Sequence, residues 1–256
     1  MDQRLFSALT VFQWDTSKKV RLGNIHDGGY VVVDIDDEMP PYDCYISAGV
    51  STDDCVSNAI ITRYHIPSTD CFAFDGTVSS YPTNPPTDII FIKKNVGPIN
   101  TNNETNLHDL IEKYNKIFLK MDIEGGEYPW FKTLSIEQLQ HFRQIVIEFH
   151  GCNDDSWGTS FQDKLNILTK LATTHYIVHS HANNFGGTRN YTYKQDNSTE
   201  VTCCIPNVIE LTYVRKSDFT TPLQLNKTPL PISGLDIANN YHINDIDLSC
   251  QPFTFP

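Results

Sequence analysis

The sequence predicts an α/β fold in which a seven-stranded, mostly parallel sheet has helices on both faces and an antiparallel edge strand. Three observations predict it. Short apolar runs of strand length alternate with segments of helical pattern, which is typical of parallel strands joined by helical crossovers. A long polar excursion separates the last two strands, which favours an antiparallel pairing there. The chain has 256 residues, which is enough for one substantial core.

A helix and a hairpin precede the sheet. An amphipathic segment within residues 1–20 predicts a helix that packs on the sheet. Asp27, Gly28 and Gly29 form a strong hairpin-turn pattern, and the β-branched residues after them favour a strand. A tight turn is one interpretation of these glycines, and close approach of the backbone to a ligand is the other.

From residue 44 onward, strands and helices alternate. Apolar, β-branched and aromatic runs predict the strands, while apolar residues at helical spacing after capping residues predict the helices. The predicted strands cover 44–50, 70–75, 89–93, 117–124, 144–150, 176–181 and 208–214, and the predicted helices cover 56–64, 106–114, 127–140 and 160–173. Residues 79–88 form a predicted proline-rich loop, and 183–199 form the polar excursion.

We interpret the chain as one domain in three parts. Residues 1–40 are an N-terminal extension of helix and hairpin, and residues 41–216 are the core that holds the sheet and its cofactor site. Residues 217–256 are proline-rich and predict an irregular C-terminal tail.

Composition excludes several classes of partner. The formal charge of −12, without a basic stripe, argues against a nucleic acid or an anionic membrane. No apolar run reaches the thickness of a bilayer, and no signal-peptide core is seen, so we expect a cytoplasmic protein without a membrane span. Seven scattered cysteines lack metal-type spacing. The oligomeric state stays open.

The stretch from Ile117 to Phe131 organises the predicted site. Strand alternation places Lys120, Asp122 and Glu124 on one face, immediately before Gly125 and Gly126 allow a sharp turn. Buried charges need partners, and ligands of open α/β sheets bind beyond the carboxyl ends of strands. A ligand site is therefore the favoured interpretation, and a structural ion pair of Lys120 with one of the acids is the alternative.

The ends of the first two strands indicate a nucleoside cofactor. Ser47-Ala-Gly-Val-Ser51 holds one glycine, so the Gly-x-Gly-x-x-Gly pattern that cradles a pyrophosphate is absent. Asp75 ends the second strand, where a carboxylate can accept hydrogen bonds from both hydroxyls of a ribose. A turn-forming or helix-capping Asp75 is the alternative. Ribose binding without pyrophosphate binding favours S-adenosylmethionine (SAM).

The segment Lys120-Met-Asp-Ile-Glu-Gly-Gly-Glu127 resembles the Lys-x-Asp-x-Glu-Gly-x-Glu signature of FkbM-type methyltransferases. Similarity within about residues 20–215 also includes 27–31, 73–75, 145–150 and 181–184. The resemblance implies a Rossmann-like class I methyltransferase fold and SAM-dependent O-methylation, commonly of sugar or polyketide hydroxyls. The first turn departs from the commoner Asp-x-Gly-Ala pattern. It is similar to a branch with Gly-x-x-x-Asp, here Gly49 to Asp53, which leaves the contacts to the methionine end of SAM open.

Residues at the carboxyl ends of the first, second and fourth strands are predicted to bind the cofactor, because ligands of open α/β sheets bind at that edge. They are Ser47, Ala48, Gly49, Ser51, Asp53, Asp75, Gly76 and Asp122.

Methyl transfer to an alcohol needs a hydroxyl held in line with the sulfonium methyl and a group that takes its proton. Asp122 ends the fourth strand in a position to face the methyl group. His150, at the end of the fifth strand, is the first choice for general base because histidine titrates near neutral pH. His181, at the end of the sixth strand, is the second choice. A structural role is the alternative for each histidine.

A metal and an acceptor pocket complete the predicted site. A divalent ion could be held by Asp122, Glu148 and His150. Two carboxylates with one imidazole suit Mn²⁺ better than Mg²⁺. We nevertheless favour catalysis by a base without a metal. Carboxylates, amides and an aromatic face suit a hydroxylated acceptor, although turn formation and indole packing are alternatives. The predicted acceptor contacts are Glu124, Glu148, Asn183, Asn184 and Trp157.

The leading hypothesis is a SAM-dependent O-methyltransferase that modifies a hydroxyl of a carbohydrate, as in a glycan or glycoconjugate. One alternative is a catalytically inactive interaction module with the methyltransferase fold, since fold alone does not fix function. Another is a metal-dependent O-methyltransferase of a different small hydroxylated substrate. A metal-dependent hydrolase is a third, and it would use Asp122, Glu148, His150 and His181.

Overall fold

The computed structural model describes residues 3–35, 41–82, 88–194 and 200–256. The helices are α1 (Gln3–Ala8), α2 (Cys55–Tyr64), α3 (His108–Ile111), α4 (Glu127–Thr133), α5 (Ile136–Leu139) and α6 (Phe161–Thr174). The strands are β1 (Lys19–Gly23), β2 (Gly29–Val33), β3 (Cys44–Ala48), β4 (Cys71–Phe74), β5 (Ile90–Ile92), β6 (Asn95–Val96), β7 (Glu104–Thr105), β8 (Ile117–Met121), β9 (Phe142–His150), β10 (His175–Ala182), β11 (Thr188–Lys194), β12 (Glu200–Pro206) and β13 (Val208–Arg215).

Seven strands form the central sheet, in the order β10-β13-β9-β8-β3-β4-β5. The run from β9 to β5 is parallel, whereas β13 is antiparallel to both of its neighbours. The sheet is therefore mixed, and the prediction of a mostly parallel sheet was wrong. The antiparallel strand also lies inside the sheet, and β10 forms the edge. Nearly all of β13 is buried, which suits a strand paired on both sides.

The polar excursion before the last strand contains a β-hairpin, which is an unpredicted element. Strands β11 and β12 pair antiparallel as a separate two-stranded sheet, and the chain then enters the central sheet as β13. Alternating aromatic and β-branched residues around Tyr191 and Cys203 favour such a hairpin. Residues 195–199 of the excursion lie outside the described residues, as do residues 83–87 of the predicted proline-rich loop.

The two faces of the sheet are covered differently. Ile46, Leu119 and Ile147 face one core cluster, which also contains apolar residues of α1, α4 and α6. Helix α6 is begun by Ser160, whose side chain accepts a hydrogen bond from the Asp163 amide. On the opposite face, Tyr45, Phe118 and Val146 pack with α2 and with the β1–β2 hairpin. Helices cover both faces as predicted, but the hairpin covers part of the second face.

A buried amide side chain helps to attach the β1–β2 hairpin to the sheet, together with the Thr212 hydroxyl, which donates to the Val31 carbonyl. The Gln144 side chain donates to the Val33 carbonyl at 3.0 Å and accepts from the Val33 amide at 2.9 Å. Both backbone groups of Val33 are thereby satisfied inside the protein, where an unpaired group would be costly. The hairpin turn, with its glycines, is consequently held beside the carboxyl ends of the parallel strands.

The C-terminal residues beyond β13 form one short 3₁₀ helix, Lys216–Asp218, and otherwise irregular backbone. The backbone at Phe12 donates to the carbonyl of Ile177, so the segment after α1 covers the outer edge of β10. None of the helices within the described residues has the length and apolarity needed to cross a membrane.

Replacing Gln144 with leucine tests the attachment of the hairpin. The change leaves the amide of Val33 without its buried partner, while the carbonyl keeps only the Tyr64 hydroxyl at 3.3 Å, so the free energy of unfolding should fall by about 1–3 kcal/mol. Urea denaturation followed by circular dichroism measures it. Gln162→Leu, on the exposed surface of α6, is the matched control and should change stability little. Equal stability of the two variants would contradict this role of Gln144.

Candidate functional site

A cleft of about 420 Å³ lies beyond the carboxyl ends of β3, β4 and β8. Its walls come from the hairpin turn, the loop after β3, the end of β4, the β6 strand and the end of β8. The lining residues are Asn24, Asp27, Gly28, Tyr30, Gly49, Val50, Ser51, Thr52, Asp53, Val56, Phe74, Asp75, Thr77, Asn95, Val96, Lys120, Asp122, Ile123 and Glu124. The volume is within the usual range for small-molecule sites.

Gly49 sets the shape of the cleft. Its φ is +82°, and a Cβ built there would lie 1.6 Å from the carbonyl oxygen of Asp122, so glycine is required. The Gly49 amide donates to the carbonyl of Phe74 at 3.0 Å, and its carbonyl accepts from Lys120 Nζ at 2.6 Å. The ammonium of Lys120 therefore bonds to a backbone carbonyl, whereas the alternative interpretation expected an ion pair with Asp122 or Glu124.

Asp75 holds the turn after β3. Its Oδ2 accepts from the amides of Val50 and Ser51, and its Oδ1 accepts from the amide and hydroxyl of Thr77. Burial by itself raises the pKa of Asp75, but the bonds from Thr77 and Ser51 outweigh burial and the pKa lies below its ordinary value. The turn-forming interpretation of Asp75 is thus what the structure shows, and ribose hydroxyls would have to share its oxygens.

The structure brings most of the predicted cofactor residues together. Gly49, Ser51, Asp53, Asp75 and Asp122 all line the cleft, whereas Ser47, Ala48 and Gly76 are absent from its lining. Ser47 is buried and donates to Asp54, and Ala48 belongs to the apolar core, because alternation along β3 turns both side chains into packed layers. The Gly76 amide donates to the side chain of Asn95.

Asn24, Tyr30, Thr77 and Asn95 line the cleft and were not predicted. Asn95 follows the third predicted strand, so its position at a strand end was a usable signal. Tyr30 is different, because it reaches the site from the hairpin and donates to Asp122 Oδ2 at 2.9 Å.

His150 lies in a buried cluster of carboxylates beside the cleft. Its Nδ1 is 3.1 Å from Glu127 Oε1, and its Nε2 is 3.2 Å from Glu148 Oε1 and 3.4 Å from Glu124 Oε2. Burial by itself lowers the pKa of His150, but the hydrogen bonds with Glu127 and Glu148 raise it to about 11. An imidazole that holds its proton at neutral pH is a poor general base, and the role of His150 stays a prediction.

Glu148 is the carboxylate of this cluster that titrates near neutral pH. Burial, opposed by the hydrogen bond with His150, raises the pKa of Glu148 to about 7, and the negative charges of Asp122 and Glu210 act in the same direction as burial. Asn183 donates to both oxygens of Glu148, so the two predicted acceptor residues bind each other.

The predicted metal set is changed by the structure. Among the described residues, the group with ligand atoms all within 4.8 Å of one another consists of Asp122, Glu127 and His150. Glu148 touches His150 but does not belong to this group. Glu127 was not predicted, although it is the last residue of the signature segment, because strand alternation does not extend into helix α4.

His181 lies apart from the cleft. Its Nδ1 is 3.2 Å from Glu210 Oε2, and its Nε2 is 3.0 Å from Asp245 Oδ2 in the C-terminal tail. Burial by itself lowers the pKa of His181, but the bonds to Asp245 and Glu210 raise it to about 10. A histidine held as a cation between two carboxylates is a poor general base, and the role of His181 also stays a prediction.

The remaining predicted acceptor residues have different positions. Asn184 donates to the carbonyls of Asn240 and Ile243, so it anchors the tail. Trp157 is 44% exposed, and its ring lies 4.8 Å from that of His150. Glu124 lines the cleft, and burial raises its pKa above the ordinary value despite the nearby His150 charge. Glu124 and Trp157 both have left-handed backbones, a conformation enriched at functional sites.

The family comparison agrees with this geometry. Residues 24–173, more than half of the chain, match the family described as the methyltransferase FkbM domain. The chain belongs to the FkbM methyltransferase family. The match covers the whole cleft and the His150 cluster, but β10, β13 and the tail lie beyond it. Members of a methyltransferase family usually take their methyl group from SAM. The curated proteins compared with the chain include no match.

The pH dependence of stability tests the His181 ion pairs. Because folding raises the pKa of His181 from 6.5 to about 10, its contribution is complete below about pH 6.5 and is lost as the pH rises toward 10. His181→Gln should lower the free energy of unfolding by about 3 kcal/mol near pH 6, since Glu210 and Asp245 lose their buried cation.

Urea denaturation at several pH values between these limits measures the difference between the wild type and His181→Gln. The difference should shrink toward pH 10. His242→Gln, at an exposed position in the tail, is the control and should give no comparable difference. A difference that stays constant over this range would show that His181 contributes by packing alone.

Proposed function

We propose that this FkbM family member is a SAM-dependent O-methyltransferase that acts on a hydroxyl of a carbohydrate. The proposal rests on the continuity of the cleft with the carboxylate cluster around His150. The cleft formed by Gly49, Asp75 and Asp122 adjoins the carboxylate cluster around His150, with Trp157 beside it. Such a site can hold a nucleoside cofactor on one side and a hydroxylated acceptor on the other.

The cleft residues fit the cofactor in size and charge. A volume of about 420 Å³ accommodates a nucleoside with an amino-acid arm. Asp122 and Glu124 supply negative charge next to the position expected for a sulfonium cation. Asp75 and the backbone of the Gly49 turn would hold the ribose and the amino-acid arm. Bound SAM would supply an electrophilic methyl group.

In this proposal a carboxylate accepts the proton of the acceptor hydroxyl, because His150 and His181 are both already protonated. Glu124 is the carboxylate with the best placement. It lines the cleft, its side chain is 74% exposed, and its Oε2 lies 3.4 Å from His150 Nε2. His150 Nε2 would orient this carboxylate, while the exposed indole of Trp157 offers a flat surface of the kind that packs against sugar rings.

Calorimetric titration with S-adenosylhomocysteine tests the cofactor half of the proposal. The wild type should bind it, and Asp75→Ala should weaken binding at least about tenfold, because the turn that carries Val50 and Ser51 loses its charged acceptor. Asp88→Ala, at an exposed position outside the cleft, is the matched control. Absence of binding by folded wild-type protein would contradict the proposal and favour an inactive interaction module.

Transfer of a labelled methyl group from SAM to a panel of free and glycan-linked sugars tests the acceptor half. The label should appear in ethers that resist mild base, and Glu124→Gln should slow its transfer while leaving S-adenosylhomocysteine binding intact. Label found only in base-labile esters or on nitrogen would contradict O-methylation of a sugar hydroxyl.

A further inference from the structure

We propose that Asp122, Glu127 and His150 form a binding site for a divalent cation, with Mn²⁺ as the best-matched ion. Each residue brings one ligand atom to within 4.8 Å of the other two. The sequence alone favoured a metal-free site and offered Glu148 as a ligand. The contacts of Glu127 instead favour a metal site, and they make Glu127 rather than Glu148 the ligand beside Asp122 and His150.

Glu127 has a buried oxygen without a partner. Its side chain is fully buried, and its Oε1 accepts from the amides of Ile123 and Gly125 and lies 3.1 Å from His150. Within the described part of the chain, its Oε2 is buried and makes no hydrogen bond. A buried carboxylate oxygen without a partner costs stability, and a bound cation would remove that cost.

The excess of negative charge around His150 also favours a bound cation. Glu124, Glu127 and Glu148 lie within 3.4 Å of its ring nitrogens, and Asp122 completes the group of ligand atoms. One imidazole cannot balance four carboxylates. Lys120 lines the cleft and its ammonium donates to the carbonyl of Gly49, whereas Lys164, whose charge interacts with Glu127, donates to three backbone carbonyls. A divalent ion bound to His150 would displace the proton from the ligating nitrogen, so the cluster would gain one net positive charge.

The chemistry of the ligands selects the type of ion. Carboxylates suit Mg²⁺, Ca²⁺ and Mn²⁺, whereas imidazole suits later transition metals, and Mn²⁺ accepts both. Oxygen and nitrogen ligands at about 2.1 Å from an octahedral ion are at most about 4 Å apart, so the present separations need only a small contraction.

The ion would join the two halves of the site. Asp122 lines the cleft, whereas Glu127 and His150 are buried behind it. Three protein ligands leave coordination positions for other oxygen donors. If the proposed function holds, those donors are oxygens of a hydroxylated acceptor, which the cation would place beside the methyl donor.

Electron paramagnetic resonance with Mn²⁺ alone tests the site. The 256-residue chain, freed of metal by chelator and dialysis, should bind about one Mn²⁺ with a dissociation constant below about 100 μM. Glu127→Gln should weaken binding at least about tenfold, and Glu137→Gln, at an exposed position in α5, should not. The glutamine at 127 still accepts from the amides of Ile123 and Gly125, so the variant should fold.

Pulsed measurements on the wild-type complex add a second readout. They should show coupling to a directly bound nitrogen, and His150→Gln should remove it. Absence of binding up to about 1 mM Mn²⁺ would overturn the site, as would equal affinity of Glu127→Gln and wild type. If Glu127→Gln does not fold, the pulsed measurement on the wild type is the deciding test. Coupling of Mn²⁺ to a directly bound nitrogen would support the cation site, and absence of this coupling would overturn it.

The Mn²⁺ titration and the S-adenosylhomocysteine titration test separate claims, so either claim can be refuted without the other. A chain that binds S-adenosylhomocysteine but not Mn²⁺ would refute the cation site and leave the proposed function intact. A chain that binds Mn²⁺ but not S-adenosylhomocysteine would refute the proposed function and leave the cation site intact.

Discussion

The backbone contact between Gly49 and Asp122 is the constraint on which the site depends. The two loops approach so closely that any side chain at position 49 would overlap the carbonyl oxygen of Asp122. The Asp122 amide donates to Ala48, and Lys120 donates to Gly49, so the ends of β3 and β8 are held together on both sides of this contact. The carboxylate of Asp122 is consequently placed between the cleft and the buried carboxylate cluster.

Charge balance organises the rest of the site. His150 and His181 each lie between carboxylates, and in both cases the attraction of those carboxylates outweighs the cost of burying a charged imidazole. The histidines therefore act as cations that neutralise acids brought together by neighbouring strands. Glu148 and Glu210 are direct cross-strand partners on β9 and β13, which is a destabilising arrangement of like charges, and His150 and His181 lie beside these two carboxylates.

Local sequence patterns predicted the strands of the central sheet well. The features that were missed depend on contacts that no local pattern describes. Every strand of the central sheet was predicted because apolar periodicity is a property of a few neighbouring residues. The position of β13 inside the sheet depends on pairing with β9 and β10, which no local pattern encodes. The cleft residues of the signature were predicted from strand ends. Glu127 was missed because its side chain turns back from a helix, and Asp245 was missed because it is 64 residues from His181.

A crystal structure of the chain with S-adenosylhomocysteine would test most directly whether the Gly49 and Asp122 loops form the cofactor site. The ligand should occupy the cleft, with its sulfur atom within about 5 Å of the Asp122 carboxylate and its amino-acid arm along residues 49–53. Occupancy of another groove, such as the one lined by Phe72, Ile92 and Leu110, with the Gly49 cleft left to solvent, would contradict the account.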